Sequence, residues 1–84
     1  MTPIHELLNR IRWDKDFGQG DFIIGYYDRL DDQIVRVSLR EIFFEPDDHF
    51  SFELIDHEGI LHNIPLHRIK EVYKDGELIW HREH

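Results

Sequence analysis

Phe22-Ile23-Ile24-Gly25-Tyr26-Tyr27-Asp28-Arg29 is where the chain stops reading as a helix and starts reading as a sheet. Phe22, Ile24 and Tyr26 alternate with Ile23, Gly25 and Tyr27, a period of two that sends successive side chains to opposite faces of a strand. Leu30-Asp31-Asp32-Gln33 turns the chain, and Val35, Val37 and Leu39 then alternate with Arg36, Ser38 and Arg40 in a second strand, dry on one face and wet on the other. Glu41 to Phe44 fits either a continuation of that strand or a short helical turn. Glu45-Pro46-Asp47-Asp48 is a break. Phe50, Phe52 and Leu54 predict a third strand, His57-Glu58-Gly59 a turn, and Ile60 to Ile64 a fourth strand. Past a corner at Pro65, Ile69 to Lys74 and Glu77 to Arg82 form a hairpin about Asp75-Gly76, the residue pair that suits a two-residue turn with both φ angles positive.

Upstream, the period is that of a helix. Ile4, Leu7, Leu8 and Ile11 follow the i, i+3, i+4, i+7 spacing of one apolar face, with His5, Glu6, Asn9, Arg10 and Arg12 opposite. Thr2 is read as the cap and Pro3 as the first helical residue, where a missing N–H costs nothing. The helix should end near Trp13, and Asp14 to Gly20 reads as a loop. One helix followed by about six short strands, with no crossover helices, gives an α+β fold. The expected architecture is an N-terminal helix packed on a curved antiparallel sheet or a small, partly open barrel. Residues 1–84 read as a single domain, and His81, Arg82, Glu83 and His84 as a fraying tail.

Composition narrows the function classes. A chain of 84 residues with 40% hydrophobic content can bury roughly 60–65% of its unfolded surface, enough for a core. The absence of cysteine excludes disulfides, thiolate metal sites and thiol nucleophiles. No apolar run reaches membrane-spanning length, no leader pattern follows Met1, and a cytoplasmic protein is the expectation. The formal charge is −8, with four Lys/Arg against eleven Asp/Glu after residue 40. A long nucleic-acid groove needs clustered cations along many phosphates, and this chain has no such stripe. Nucleic acid would have to be met at a point, such as a strand end.

The candidate point is Ile64-Pro65-Leu66-His67-Arg68-Ile69. A rigid corner sets His67 beside Arg68, and imidazole with guanidinium can grip an anion through several N–H donors. The ordinary alternative is that Arg68 pairs with a nearby acid while His67 caps the turn. Arg29 could add a second fork if the strand ends converge; its alternative is a salt bridge to Asp28, Asp31 or Asp32. Trp13 and Tyr27 offer flat faces on which a base could stack, whereas Trp80 reads as packing. Asp56, His57 and His62 could meet a cation across a turn, but such turn residues are usually just solvated, and no metal or other cofactor is expected. No nucleophile motif or glycine-rich phosphate loop is present, so no catalytic residue is assigned.

Four blocks, Ile11-Arg12-Trp13, Tyr27-Asp28-Arg29, Ile64-Pro65-Leu66-His67-Arg68-Ile69 and Gly76-Glu77-Leu78-Ile79-Trp80, carry a family resemblance that runs nearly end to end. The chain resembles the RNA cyclic-group end recognition domain, a family of small proteins common in archaea. In eukaryotic relatives that domain is fused to modules resembling cyclic phosphodiesterases and RNA-end processing enzymes. The resemblance implies recognition of RNA 3′ ends bearing a 2′,3′-cyclic phosphate, without catalysis, in RNA processing or repair. It singles out Arg29, His67 and Arg68, with an RNA 3′ end and RNA-end processing enzymes as partners. Two other readings stand beside it. One is an acidic protein–protein adaptor that docks on a basic partner. The weaker is a cyclic phosphodiesterase using His67 as acid or base. Membrane association is not expected, and the sequence leaves the oligomeric state open.

Overall fold

The computed structural model describes residues 2–45, 47–48 and 50–83. Pro46, within the expected break, and His84, at the end of the expected tail, lie outside the described residues. Helix α1 (Ile4–Trp13) is followed by β1 (Phe22–Asp28), β2 (Gln33–Ser38), β3 (Ile42–Phe43), β4 (Ser51–Ile55), β5 (Leu61–Pro65), β6 (Ile69–Lys74) and β7 (Glu77–His81). Two 3₁₀ turns, Leu39–Glu41 and Leu66–Arg68, precede β3 and β6. The strands form two antiparallel sheets, of order β2-β1-β6-β7 and β3-β4-β5, that do not close into a barrel. The α+β reading holds, with seven strands among the described residues. Of the two alternatives for residues 41 to 44, the second strand does not continue: a helical turn, Leu39–Glu41, ends it, and Ile42–Phe43 starts the other sheet.

Pro3 is the N-cap of α1, not its first helical residue, and its carbonyl accepts from the amides of Glu6 and Leu7. Thr2 makes no cap. Its carbonyl instead accepts the Trp80 indole N–H at 2.6 Å, which ties the chain start to β7. Trp80 is buried, as packing requires.

A single core joins the helix and both sheets. Phe22, Ile24 and Tyr26 of β1 share it with Ile69 and Val72 of β6, Ile42, Phe52, Leu54 and Ile64 of the second sheet, and Ile4 and Leu7 of α1. The Tyr26 and Phe52 rings meet edge-on at 5.8 Å across the two sheets. Burial pushes the Tyr26 hydroxyl above its ordinary range. The register sets Ile24 opposite both Val37 and Val72, so the inner face is continuous across three strands.

Two β-bulges adjust that register. Tyr26 pairs with Ile69 although Gly25 pairs with Glu71, which leaves Lys70 as the extra residue of β6. Val72 pairs with Trp80 and Tyr73 with Leu78, which leaves Ile79 as the extra residue of β7. The second bulge turns Leu78 to the outside while Trp80 stays inside. At Asp75-Gly76 the φ angles are +51° and +84°, the geometry expected of that hairpin.

Gly25 has a packing reason. A Cβ there would lie 2.5 Å from the Glu71 side chain, whose carboxylate meets Arg36 Nε at 2.7 Å on the outer face. Gly25→Ala should therefore cost about 1–3 kcal/mol of stability. In a Glu71→Ala background the same substitution should cost far less. Urea denaturation of the four proteins of this cycle checks the coupling, and equal costs in both backgrounds would show that Glu71 is not the obstacle.

Candidate functional site

Strand β5 belongs to one sheet and β6 to the other, so the chain must turn between them, and the turn is Leu66–Arg68. Pro65 enters it with φ −61° and ψ 140°, and the Ile69 amide closes it on the Leu66 carbonyl. Leu66 is buried and its amide donates to the Phe50 carbonyl at 2.8 Å. With Leu66 anchored inward, His67 is exposed and Arg68 half-exposed.

Arg82 braces this corner from outside. Its Nε donates to the Ile69 carbonyl at 2.8 Å and its guanidinium NH2 group donates to the Leu66 carbonyl at 2.9 Å. Its own amide donates to the Lys70 carbonyl, which continues the β6–β7 ladder. Burial lowers its basicity from the ordinary value. Arg82 is therefore no part of a fraying tail. The sequence conceals this role, because a lone arginine after a strand looks like any solvated terminus.

Arg29 lies at the same end of the first sheet. Tyr26 and Ile69 form the last rung between β1 and β6, so Arg68 directly precedes that rung on one strand. Arg29 follows it by three residues on the other, roughly 10 Å along the strand direction. The β1 strand and the Leu66–Arg68 turn pack together. Two of the three acids around Arg29 are engaged elsewhere. Asp28 accepts the amides of Leu30 and Asp31, and Asp32 accepts the Tyr27 hydroxyl. No salt bridge joins Arg29 to Asp28, Asp31 or Asp32. The Asp32 hydrogen bond raises the Tyr27 hydroxyl above its usual range, opposed in part by the positive charge of Arg29.

The seven arginines divide cleanly. Arg10 lies 3.9 Å over the Phe17 ring, Arg12 4.9 Å over Trp13, Arg36 pairs with Glu71, Arg40 pairs with Asp21 at 2.9 Å, and Arg82 holds the corner. Only Arg29 and Arg68 have no hydrogen bond, ion pair or ring contact with any described residue. Both face water, at one end of one sheet, in a chain of charge −8.

Trp13 is elsewhere. It is 72% exposed and, with Phe43, Phe44, Phe50 and Leu66, lines a groove of about 910 Å³ between α1 and β3. Arg29, His67 and Arg68 do not line this groove. Sequence reasoning missed it, although a signal was present. Adjacent Phe43 and Phe44 in a strand cannot both point inward, and Phe50 sits just past a break.

Asp56 and His62 form a pair at 2.7 Å across the β4–β5 turn, and Asp56 also accepts the amides of Glu58 and Ile60. Among the described residues no group of three or more acids and histidines could hold a metal.

Residues 1–82 match the family model of the MJ1316 RNA cyclic group end recognition domain. The chain belongs to this family. The UPF0248 protein MMP0286 of Methanococcus maripaludis is 34% identical over 80 residues, which cover 92% of this chain and 95% of that protein. No solved structure shows significant similarity to the chain.

Two predictions follow from the bonds around the turns. Arg82→Ala removes the side-chain donor from the Ile69 carbonyl and one of the two donors to the Leu66 carbonyl, and should cost about 1–3 kcal/mol, with faster amide exchange at Ile69. Arg82→Lys, which has no planar fork, should recover only part of the loss. The His62 hydrogen bond holds the Asp56 carboxyl below the ordinary range, helped by its backbone bonds to Ile60 and Glu58. Its stabilising contribution is therefore present above the unfolded-state value near 4 and lost as pH falls through the lowered one. Stability curves of the parent and Asp56→Asn should converge as the medium is acidified.

Proposed function

We propose that this chain binds RNA 3′ ends carrying a 2′,3′-cyclic phosphate, without turning them over, in RNA processing or repair beside separate end-processing enzymes. The observation that carries the reading is the pair of arginines, Arg29 and Arg68, left without a partner among the described residues. The family's own designation supports the same ligand class.

The chemistry suits a single compact anion. A cyclic phosphate bears one negative charge and two free oxygens, so Arg68 and Arg29 can each present a planar fork while His67 adds one N–H donor. Tyr27, on β1 two residues before Arg29, is the ring assigned to the terminal base. A 3′-hydroxyl end brings no anion to this position and gains none of these bonds. The acid-rich remainder of the surface repels the upstream phosphates, so discrimination rests on the end group and not on the length of the strand.

Titration of two otherwise identical short RNAs tests the proposal. The oligonucleotide ending in a cyclic phosphate should bind at least about tenfold more tightly than its 3′-hydroxyl counterpart, which corresponds to about 1.4 kcal/mol. Arg68→Ala and Arg29→Ala should each erase most of that difference while leaving the melting temperature unchanged. With one phosphate engaged, affinity should change by no more than about threefold between 50 and 200 mM salt. Equal curves for the two RNAs would remove the reading. Loss of the cyclic phosphate during incubation, sensitive to His67→Ala, would replace binding with phosphodiesterase activity.

A further inference from the structure

The groove between α1 and β3 plays no part in the RNA reading, and it gathers several strongly exposed aromatic side chains. Phe50 is 82% exposed, Trp13 72% and Phe43 55%, and all three converge on it with Phe44. The floor is formed by Leu8, Ile11, Leu39, Ile42 and Leu66. Exposed apolar area gathered in one concave place and rimmed by polar groups is what a protein interface presents.

The two walls differ in charge. On the α1 side stand His5 and Arg12, and Arg12 is already stacked on Trp13. On the other side stand Glu45 and Asp48, and Glu45 crowds Glu53, the cross-strand partner of the groove residue Phe43. The proximity of Glu45, with desolvation and the charge of Asp48, pushes the Glu53 carboxyl above its ordinary range. No described residue pairs Glu45 or Glu53 with a cation. Two crowded carboxylates beside an apolar floor are relieved by an incoming ammonium or guanidinium group.

We propose that this groove docks an amphipathic helix of a partner protein, with its apolar stripe against Trp13, Phe43, Phe44 and Phe50 and its lysines or arginines against Glu45 and Glu53. Charge complementarity selects this occupant over the other two. A second copy of a chain of charge −8 brings more acid to an acidic wall, and RNA brings phosphates to it. The geometry favours a helix over an added strand. The sheet edge at the groove is β3, only two residues long, too short to give a partner strand a useful ladder. The volume of about 910 Å³ accommodates several side chains of one helical face.

The probe is a fluorescein-labelled peptide of leucine and lysine, about 18 residues or five helical turns long, with leucines at helical spacing. One control replaces lysine by glutamate. A second scrambles the same composition so that no stripe forms. The patterned lysine peptide should bind, measured by anisotropy, and should shift tryptophan emission to the blue. Trp80 is already buried, so that shift reports Trp13. The double variant Phe43→Ser/Phe50→Ser changes two exposed side chains and spares Phe44, which packs on Phe52. It should keep its circular dichroism, keep cyclic-phosphate RNA binding, and lose at least about tenfold in peptide affinity. Glu45→Gln/Glu53→Gln should weaken binding several-fold and flatten its salt dependence. Four results would overturn the proposal: no binding of the patterned peptide, equal binding of the scrambled peptide, equal binding by the phenylalanine variant, or a Trp13 shift produced by RNA. Self-association that the phenylalanine variant abolishes would also overturn it, because the occupant would then be a second copy.

Discussion

The pairing of β1 with β6 is the constraint on which the rest of the molecule depends. It joins residues 22–26 to residues 69–74, nearly fifty positions apart, and no local turn helps to form it. Once made, it sets the inner face of three strands around Ile24 and carries the Leu66–Arg68 corner to the end of β1. Its outer face permits no side chain at Gly25, because Glu71 occupies that space. Its bulge at Lys70 shifts the phase of β6, so that Ile69 and Val72, three apart, both point inward. The same pairing thus builds the core and aligns the two segments that bear Arg29 and Arg68.

Charge is distributed with comparable economy. An excess of acid would ordinarily quench every arginine on a small surface, yet two of the three carboxylates that flank Arg29 in sequence are committed to local tasks. Asp28 holds the turn amides and Asp32 holds the Tyr27 hydroxyl. An Asp side chain bound to backbone N–H groups remains negative but is fixed in place, and it cannot swing to meet a neighbouring cation. The acidic loop that looks like a sink for Arg29 instead works as a scaffold beneath it. The corner behaves alike: Arg82 spends its guanidinium on the Leu66 and Ile69 carbonyls, and Arg68 is left without such a bond.

The broad outline of the fold was legible because it rests on local signals. The change of period at Phe22, the Asp75-Gly76 turn and the apolar face of α1 are each written within a few residues. What escaped was non-local. Period two makes Leu78 and Trp80 neighbours on one face, and only the bulge opposite Val72 separates them. The division into two sheets depends on which strands pair, which alternation does not encode. The role of Arg82 depends on two carbonyls thirteen and sixteen residues away. Of the candidate site, the His67-Arg68 corner was legible from its proline and its neighbours, whereas the separation of Trp13 from it was not. Trp13 sits on a helix whose docking position no sequence period reports.

The separation of the groove from the Arg29–Arg68 end bears on how so small and acidic a domain could serve RNA ends. A general RNA-binding surface gains affinity from many phosphates and pays little heed to the end group. A surface that repels phosphates everywhere but at one place reverses that balance, since the weak, unspecific contribution becomes unfavourable and the end group dominates. The same repulsion slows encounter with RNA. A domain of this kind gains from being held near its target by something other than RNA, and local concentration supplied by a docked partner offsets a slow approach without adding any contact to the nucleic acid. An apolar groove with an acidic wall, which neither of the two open arginines lines, is a suitable place for such a tether. On the proposed reading, a basic partner docked there would not compete for Arg29 or Arg68, and the acids of the groove would keep RNA out of the docking site.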